Sequence, residues 1–504
     1  MLIDDIISMI DESGPRSYYS FETFVLNLLK FHLEKQSKSF VDTTKSEIVG
    51  DCLAPYGFDE YEGSTLIEVK YNFSRVLSKK IFKEFLFKLA AGAWESNIRN
   101  LIIIFAKEVP EHIRLATITD IESIGLPVKV DIWGPQRINK IVSQHRSKAK
   151  EIADNLFSLR LETAVGKPNL DWKAERESVL ELLRESYSKG QFSLFLGAGV
   201  SSSAGMPDWT TLLNSLFVTY LTKEFNSDRK IKDNDISQLV SRLNNVDEPS
   251  ALMAARYLRK GLVKNNNEAK EFTNAVTRNL YNLRDKKYGI DSSLIKSIAK
   301  ICMPKRTGAK VRSVISYNFD DLLERQLSQN NILFRSFYTE SETYDPDELP
   351  VYHVHGFLPE NRKQYSGLEN SVLVFSEEGY HHLYSDSYHW SNLVQLNSLR
   401  ENNCLMIGLS MTDPNLRRLL DISARNIEKS KHFAFMRRLT LENFCYDNDG
   451  KKKNQVVDNV KGAEDFLLRH HALNEELMRE LGVKIIWFED FDEIPLIIES
   501  LSKY

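Results

Sequence analysis

Apolar runs alternate with helical patterns along the second part of the chain. The clearest run, Phe192–Leu196, is followed at once by Gly197-Ala198-Gly199, and an amphipathic pattern predicts a helix from about Asp208. Further buried strands are predicted at Val311–Tyr317, Val351–Gly356, Cys404–Ser410, Lys431–Met436 and Val483–Phe488. Continuous apolar strands are typical of parallel sheets that are covered by helices on both faces. We therefore predict an α/β fold with a doubly wound parallel sheet here.

The chain is too long for one hydrophobic core, since its 504 residues exceed the usual size of a single domain. Gly166 and Pro168 interrupt a polar helical stretch, and we place the boundary there, giving domains at 1–165 and 166–504. Between about 222 and 302 there is no strand pattern, and apolar residues recur at helical spacing. This predicts a helical insertion in the second domain, whose role the sequence does not indicate.

The first domain is predicted to carry a hairpin with charged residues on one face. A helix at 20–35 precedes a strand from Asp51 to Ala54 and a second strand from Thr65 to Val69, and further strands follow at 101–105 and 128–133. Glu68 and Lys70 are two residues apart, so both side chains point to the same side of the sheet. Carboxylates beside a lysine suit a divalent metal that activates water next to a phosphodiester. Asp51 is preferred as the first carboxylate because it opens a strand; Asp59, past the turn, is the alternative.

This arrangement, with Glu22 on the preceding helix, resembles the PD-(D/E)xK nuclease superfamily in its Mrr-like branch. The resemblance implies a restriction-endonuclease-like α/β domain with DNA as its substrate. It also implies Mg²⁺ or Mn²⁺ held by Asp51 and Glu68, with Asp51, Glu68 and Lys70 as the catalytic residues.

Composition and charge limit the other possibilities. Hydrophobic residues make up 42% of the chain and the formal net charge is -4, which argues against a protein that coats nucleic acid by charge alone. The four cysteines lie far apart without a CxxC pair, which predicts neither a disulfide framework nor a structural zinc site. Acidic residues in the first apolar stretch argue against a signal peptide, and no apolar run is long enough for a membrane span. A cytoplasmic protein is expected.

Four motifs follow the predicted strands of the second domain. Gly197-x-Gly199 alone is a weak signal and departs from the common dinucleotide fingerprint, because the next glycine is Gly205. The longer string GAGVSSSAGMPDW is more specific, and Asn318-x-Asp320, His355-Gly356 and Gly408-x-Ser410 come after it in order. Together they resemble the sirtuin family, which implies a Rossmann-like fold that binds NAD⁺.

The resemblance also assigns roles to residues. Backbone N–H groups at Gly197, Ala198 and Gly199 are expected to face the pyrophosphate. The nicotinamide end is expected to be enclosed by Ser201, Pro207, Asp208 and Trp209. Asn318 would position water or ribose, Asp320 would hold the carboxamide, and Gly408 and Ser410 would contact the adenosine ribose. His355 is expected to act as general base, whereas His353, on the same side of the strand, is expected to be structural.

Departures from the deacylase pattern favour hydrolysis of NAD⁺. The zinc module with two CxxC pairs is absent from the sequence, and Thr210 stands where those enzymes commonly carry arginine. The resemblance then implies an NAD⁺ hydrolase of the phage-defence branch that releases nicotinamide and ADP-ribose, with a HerA-type hexameric ATPase and further copies of the chain as partners. The alternatives are a DNA nuclease regulated by sensing NAD⁺ or ADP-ribose, and an NAD-dependent protein deacylase.

Overall fold

The fold is described from a computed structural model. It covers residues 5, 17–42, 50–73, 81–83, 85, 98–123, 128–165, 172–225, 255, 268–285, 287–289, 292–340, 345–375, 377–425, 430–448 and 453–502. Most of the predicted helical insertion, including 226–254 and 256–267, therefore lies outside the described residues, as do Gly166 and Pro168 at the predicted boundary.

The chain separates into two compact units. The first comprises residues 1–168 together with 424–430 and 468–481, and the second comprises 169–423, 431–467 and 482–504. The sequence did not indicate that the two later segments group with the first unit. Each unit is described by itself below.

The described helices are α1 (Ser17–Lys35), α2 (Glu111–Glu122), α3 (Pro135–Gln144), α4 (Arg146–Asp154), α5 (Leu156–Val165), α6 (Trp172–Ser188), α7 (Ala198–Ser202), α8 (Trp209–Phe225), α9 (Glu268–Asn282), α10 (Ser293–Cys302), α11 (Leu322–Gln329), α12 (Glu377–Ser385), α13 (Trp390–Glu401), α14 (Pro414–Ala424), α15 (Leu441–Cys445), α16 (Val460–Glu480) and α17 (Glu493–Leu501). The described strands are β1 (Val41–Asp42), β2 (Cys52–Ala54), β3 (Thr65–Lys70), β4 (Asn100–Phe105), β5 (Lys129–Trp133), β6 (Phe192–Leu196), β7 (Val311–Ser316), β8 (Phe334–Phe337), β9 (Leu349–His353), β10 (Asn403–Ile407), β11 (His432–Arg437), β12 (Tyr446–Asn448), β13 (Lys453–Gln455) and β14 (Val483–Phe488).

The first unit is built on a mixed sheet in the order β1-β2-β3-β4-β5. β1, β2 and β3 pair antiparallel, whereas β3, β4 and β5 pair parallel. β3 and β4 are buried at every position, so side chains of both faces are covered. The predicted hairpin is confirmed, since Cys52 lies opposite Ile67 and Ala54 opposite Thr65.

The second unit is built on a parallel sheet in the order β14-β11-β10-β6-β7-β9-β8. All the pairings among these strands are parallel, as the continuous apolar runs predicted. β6, the first strand of the second unit in chain order, lies in the middle between β10 and β7. The strand order reverses there, and in open α/β sheets ligands bind at the carboxyl ends of the strands beside such a switch point.

The described end of the predicted insertion belongs to the body of the second unit. α10 buries Leu294, Ile298 and Ile301 in the main hydrophobic core, and it supplies a helix of the crossover from β6 to the parallel strand β7. Parallel neighbours require such a crossover. The range of 222–302 for a helical insertion stays a prediction.

Several elements were missed by the sequence analysis. The antiparallel strands β12 and β13 were not predicted. Edge strand β8 was not predicted, and neither were α12 and α13. α13 lacks an apolar stripe because its buried face is largely polar, and its buried polar side chains are Ser391, Asn392, Gln395 and Ser398.

No helix in the described part of the chain is both long and apolar enough to span a membrane.

Candidate functional site

Glycines let the segments after β6 and β10 approach closely. A Cβ on Gly197 would lie 2.5 Å from the Gly408 carbonyl oxygen, and one on Gly199 would lie 2.8 Å from the Gly408 Cα. Gly408 itself has φ +68, and its Cβ would meet the Val200 backbone nitrogen at 2.6 Å. Side chains at these three positions would collide with backbone, so the edge of the sheet between β6 and β10 is formed by main chain.

The amides of this glycine turn are used within the protein. Gly197 N donates to Ile407 O (2.9 Å) and Gly199 N donates to Gly408 O (3.0 Å). The expectation that these two N–H groups face a pyrophosphate was therefore wrong, because they join β6 to β10. Ala198 and Gly199 remain exposed at this edge, so a ligand can still contact the turn.

The string 197–209 contains two helix starts rather than one. The short helix α7 begins directly after Gly197, which was not predicted. The predicted helix start near Asp208 is confirmed: α8 begins at Trp209, and Asp208 Oδ1 accepts a hydrogen bond from Thr211 N (2.7 Å). Pro207 precedes this cap, and the Trp209 ring packs on Phe375 with 4.5 Å between centroids. Asp208 therefore caps a helix and Trp209 packs against Phe375, in addition to any contact that they make with a ligand.

Polar side chains converge where β7 ends. Asn318 Nδ2 donates to Ser201 Oγ (2.8 Å), so β7 is joined to α7. Asn318 Oδ1 is buried and has no hydrogen-bond partner among the described residues. Asp320 accepts from Leu322 N (3.2 Å) at the start of α11. Burial raises the pKa of the Asp320 carboxyl, although a hydrogen bond with Ser201 acts to lower it. Ser201 thus links the two residues of the N-x-D motif.

His353 and His355 have different surroundings. β9 ends at His353, earlier than predicted, and Gly356 has φ +103 in the turn that follows. His353 Nε2 lies 2.6 Å from Glu324 Oε1 and its Nδ1 lies 3.1 Å from Asn318 O. An ionised Glu324 and the Asn318 carbonyl are both acceptors, an arrangement that favours the doubly protonated imidazolium of His353. Burial acts to lower the pKa of His353, but Glu324 outweighs it and the pKa is raised.

His355 has different neighbours from His353, so the expectation that the two histidines share a side was wrong. Its Nε2 is buried without a hydrogen-bond partner in the described residues and lies 3.7 Å from Asp413 Oδ2. Burial lowers the pKa of His355, while Asp413 acts to raise it. A neutral imidazole can accept a proton, whereas the paired His353 cannot. The geometry therefore distinguishes the two histidines as a candidate base and a structural residue.

The segment after β10 forms the remaining rim. Ser410 is exposed, and its Oγ lies 2.6 Å from Thr412 Oγ1. Asp413 caps α14 through a hydrogen bond from Leu416 N (2.7 Å) and also accepts from the Tyr380 hydroxyl. Sequence reasoning missed Tyr380 altogether and placed Asp413 at a helix start, within a segment that resembles the one contacting the adenosine ribose. The capping pattern accounted for Asp413 locally, so nothing in the sequence signalled its second contact.

The first unit holds a separate cluster of buried charges. Asp51 Oδ2 accepts from Val69 N (2.6 Å), Glu68 Oε2 accepts from Gly50 N (2.6 Å), and the Lys70 ammonium forms an ion pair with Glu68. Glu22, which the pattern placed away from the apolar face of its helix, is also buried. Burial, Glu68 and Glu22 raise the pKa of Asp51. Burial acts to lower the pKa of Lys70, but Asp51 and Glu68 outweigh it and the pKa is raised.

Asp59, the alternative first carboxylate, is engaged elsewhere. Its Oδ1 lies 2.8 Å from His32 Nε2 and accepts from Gln36 (2.9 Å), and the bond with His32 lowers the pKa of Asp59. The carboxylates that influence Lys70 are Asp51, Glu68 and Glu22.

The carboxylates near Lys70 form a small donor set for a metal ion. No three His, Cys, Asp or Glu side chains among the described residues are grouped so as to hold one. Mg²⁺, however, is often held by one or two carboxylates together with water and substrate phosphates. Asp51 and Glu68 fit that chemistry, and a cation would relieve the repulsion that raises the Asp51 pKa.

Comparison with known proteins gives two findings. Residues 312–454, which include the ends of β7, β9 and β10, match the model of the SIR2-like domain. Over 334 residues the chain is 24% identical to "NAD(+) hydrolase ThsA" of Enterococcus faecium, an alignment that spans 65% of this chain and 59% of that protein. The second unit is thus similar to SIR2-like proteins, and a relative of the chain is an NAD⁺ hydrolase.

Proposed function

We propose that the chain is an NAD⁺ hydrolase that releases nicotinamide and ADP-ribose. One observation carries the proposal: the buried Asn318 Oδ1 has no hydrogen-bond partner among the described residues, and Asn318 and His355 follow neighbouring strands at the carboxyl edge. Buried polar groups without partners are costly, so they point to a ligand. The glycine-lined junction of β6 and β10 and the NAD⁺-hydrolysing relative support the same site.

The site residues divide the work as follows. The exposed turn at Ala198–Gly199 and the rim at Gly408 and Ser410 would contact the pyrophosphate and the adenosine half. The carbon–nitrogen bond to the ribose breaks and nicotinamide leaves with the bonding electrons. Water adds to the resulting oxocarbenium carbon, and the proton that it loses passes to His355. Asn318 and Asp320 would orient the ribose, the water or the carboxamide.

Water, rather than an acyl-lysine, is the proposed acceptor. Two features of the sequence support water as the acceptor. The two CxxC pairs of the deacylase zinc module are absent, and Thr210 stands where those enzymes commonly carry arginine. The test is to incubate the full-length protein with NAD⁺ and to follow nicotinamide and ADP-ribose by chromatography. Equal amounts of both products without an acetylated peptide support hydrolysis. Release that requires the peptide would instead assign a deacylase.

We further propose a role in phage defence, in which a trigger starts NAD⁺ depletion. The predicted partners stay a HerA-type hexameric ATPase and further copies of the chain. The predicted location stays the cytoplasm. The same assay, repeated with phage-derived proteins and with the ATPase, would show which of them raises turnover.

A second candidate activity is metal-dependent DNA cleavage by the first unit. The buried group of Asp51, Glu68 and Lys70 on a mixed sheet, with Glu22 on the preceding helix, favours it. When bound, Mg²⁺ or Mn²⁺ would activate water beside a phosphodiester. Asp51 and Glu68 would hold the ion, and Lys70 would stabilise charge on the phosphate.

Glu68→Gln is expected to abolish Mg²⁺-dependent nicking of supercoiled DNA, because the neutral amide is a poor ligand for the ion. Agarose-gel conversion of supercoiled to open-circular plasmid measures the effect. Glu122→Gln, at an exposed position on α2, is the matched control. Nicking by both variants at the wild-type rate would remove the nuclease role from this cluster. If the wild-type protein nicks DNA only when NAD⁺ is present and does not consume it, the chain is instead a DNA nuclease regulated by sensing NAD⁺.

A further inference from the structure

Asp413 is the carboxylate that faces the buried nitrogen of His355. Its Oδ2 lies 3.7 Å from His355 Nε2. The other titratable groups against this ring are Tyr317 at the end of β7 and Tyr380 on α12, whose rings lie edge-on with centroids 4.7 and 5.7 Å away. His353 does not face His355, because it is paired with Glu324. Asp413 is therefore the charged group best placed to act on His355.

The Asp413 carboxylate is fixed from two sides. Oδ1 accepts from Leu416 N and Oδ2 accepts from the Tyr380 hydroxyl. A carboxylate offers about four lone-pair positions, so Oδ2 can accept a second hydrogen bond. Because an N–H···O bond spans roughly 2.7–3.2 Å, His355 needs to move by only about 0.5–1 Å to form it.

We propose that Asp413, held by Tyr380, is a positioning residue that orients His355 and selects its tautomer for NAD⁺ hydrolysis. This inference rests on the function proposed above. With the ring proton on Nε2 towards Asp413, Nδ1 is left to accept the proton that the attacking water loses. The imidazolium then donates Nε2–H to Asp413, and Nδ1 returns its proton to solvent when the products leave. The logic is that of a carboxylate that orients a catalytic histidine without taking its proton.

Two substitutions are expected to act in opposite directions on the pH dependence. Asp413→Asn keeps a good helix cap but removes the charge, and its amide N–H₂ favours the wrong tautomer of His355. We expect kcat to fall at least ~10-fold with a smaller change in KM for NAD⁺. Because a carboxylate that raises the pKa of His355 is lost, the acid limb of the kcat profile should move to lower pH. Tyr380→Phe frees Asp413 to interact with His355, so the acid limb should move to higher pH.

A second measurement does not depend on turnover. In protein labelled with [¹³Cε1]histidine, the His355 signal is assigned from its loss in His355→Gln, and its pKa is followed by NMR in wild type, Asp413→Asn and Tyr380→Phe. Opposite shifts in the two variants support the inference, and an unchanged His355 pKa in Asp413→Asn overturns it. Asp458→Asn and Tyr388→Phe, both at exposed positions, are the controls. Absence of nicotinamide release from wild type would count against the proposed function alone, because the NMR titration still tests the contact.

Discussion

Replacing His355 by alanine is expected to lower nicotinamide release from NAD⁺ by roughly 10²–10⁴-fold, the usual contribution of a general base. Burial at the carboxyl edge lowers the pKa of His355 and favours its neutral form, whereas His353 is already paired with Glu324. The loss should appear mainly in kcat, since the base acts when water attacks and contributes little to holding the pyrophosphate. Chromatographic initial rates over a range of NAD⁺ concentrations measure it.

His112→Ala is the control, because this histidine is exposed on α2 in the first unit and should leave the rate unchanged. Asn318→Ala should also lower kcat, since it removes an unpartnered amide oxygen beside the same site. The role of His355 fails if the purified variant keeps the wild-type rate and melting temperature.

Replacing Gly408 by alanine is expected to destabilise the second unit and to reduce NAD⁺ turnover. An L residue with positive φ costs about 1–2 kcal/mol. The added Cβ would also lie 2.6 Å from the Val200 backbone nitrogen, and overpacking of this kind typically costs about 1–3 kcal/mol more. The clash would push apart the turns after β6 and β10 and would strain the hydrogen bond from Gly199 N to Gly408 O.

Gly308→Ala separates the cost of an L residue with positive φ from the cost of the clash with backbone. Gly308 also has positive φ, but its added Cβ would meet nothing within 4 Å. Thermal unfolding of both variants should therefore show a clearly larger fall in melting temperature for Gly408→Ala, by roughly 2–4 °C per additional kcal/mol. Equal falls would mean that the close approach of β6 and β10 carries no extra cost.

Most strands of the parallel sheet could be predicted because they are largely buried on both faces. β6, β7 and β14 lie within the predicted apolar runs, and β10 and β11 each extend one residue beyond theirs. A strand covered on both sides must be apolar at nearly every position, so its pattern is independent of its neighbours. Asn318, His355 and Gly408 could be located for the same reason, since each lies near the end of such a run or directly after it.

Elements that depend on partners distant in sequence could not be predicted in the same way. β8 is an edge strand with half-exposed and exposed positions, so it carries no continuous apolar run. α13 satisfies its buried polar side chains through other elements: Gln395 accepts from the Tyr317 hydroxyl, and Asn392 accepts from Asn415 (3.1 Å). Its pattern resembles a solvent-exposed helix until those partners are known.

Charges in the first unit show the same limit. Glu68 and Lys70 lie two residues apart on one strand, so their shared face followed from spacing. Glu22 was expected on an outer face of α1, because a carboxylate is rarely buried without a partner. Its burial depends on the cluster with Asp51, Glu68 and Lys70, which only the assembled sheet brings together.

The polar face of α13 has a consequence for how the second unit reaches one conformation. A purely apolar helix can slide or rotate on a sheet at a small cost in free energy, because one apolar contact replaces another. If α13 shifted by a single residue, Asn392 and Gln395 would lose their hydrogen bonds while remaining buried. Each unsatisfied polar group would then cost about 1–3 kcal/mol of stability. α13 therefore packs on the sheet in one alignment, and that alignment holds in place the Tyr317 ring that His355 contacts.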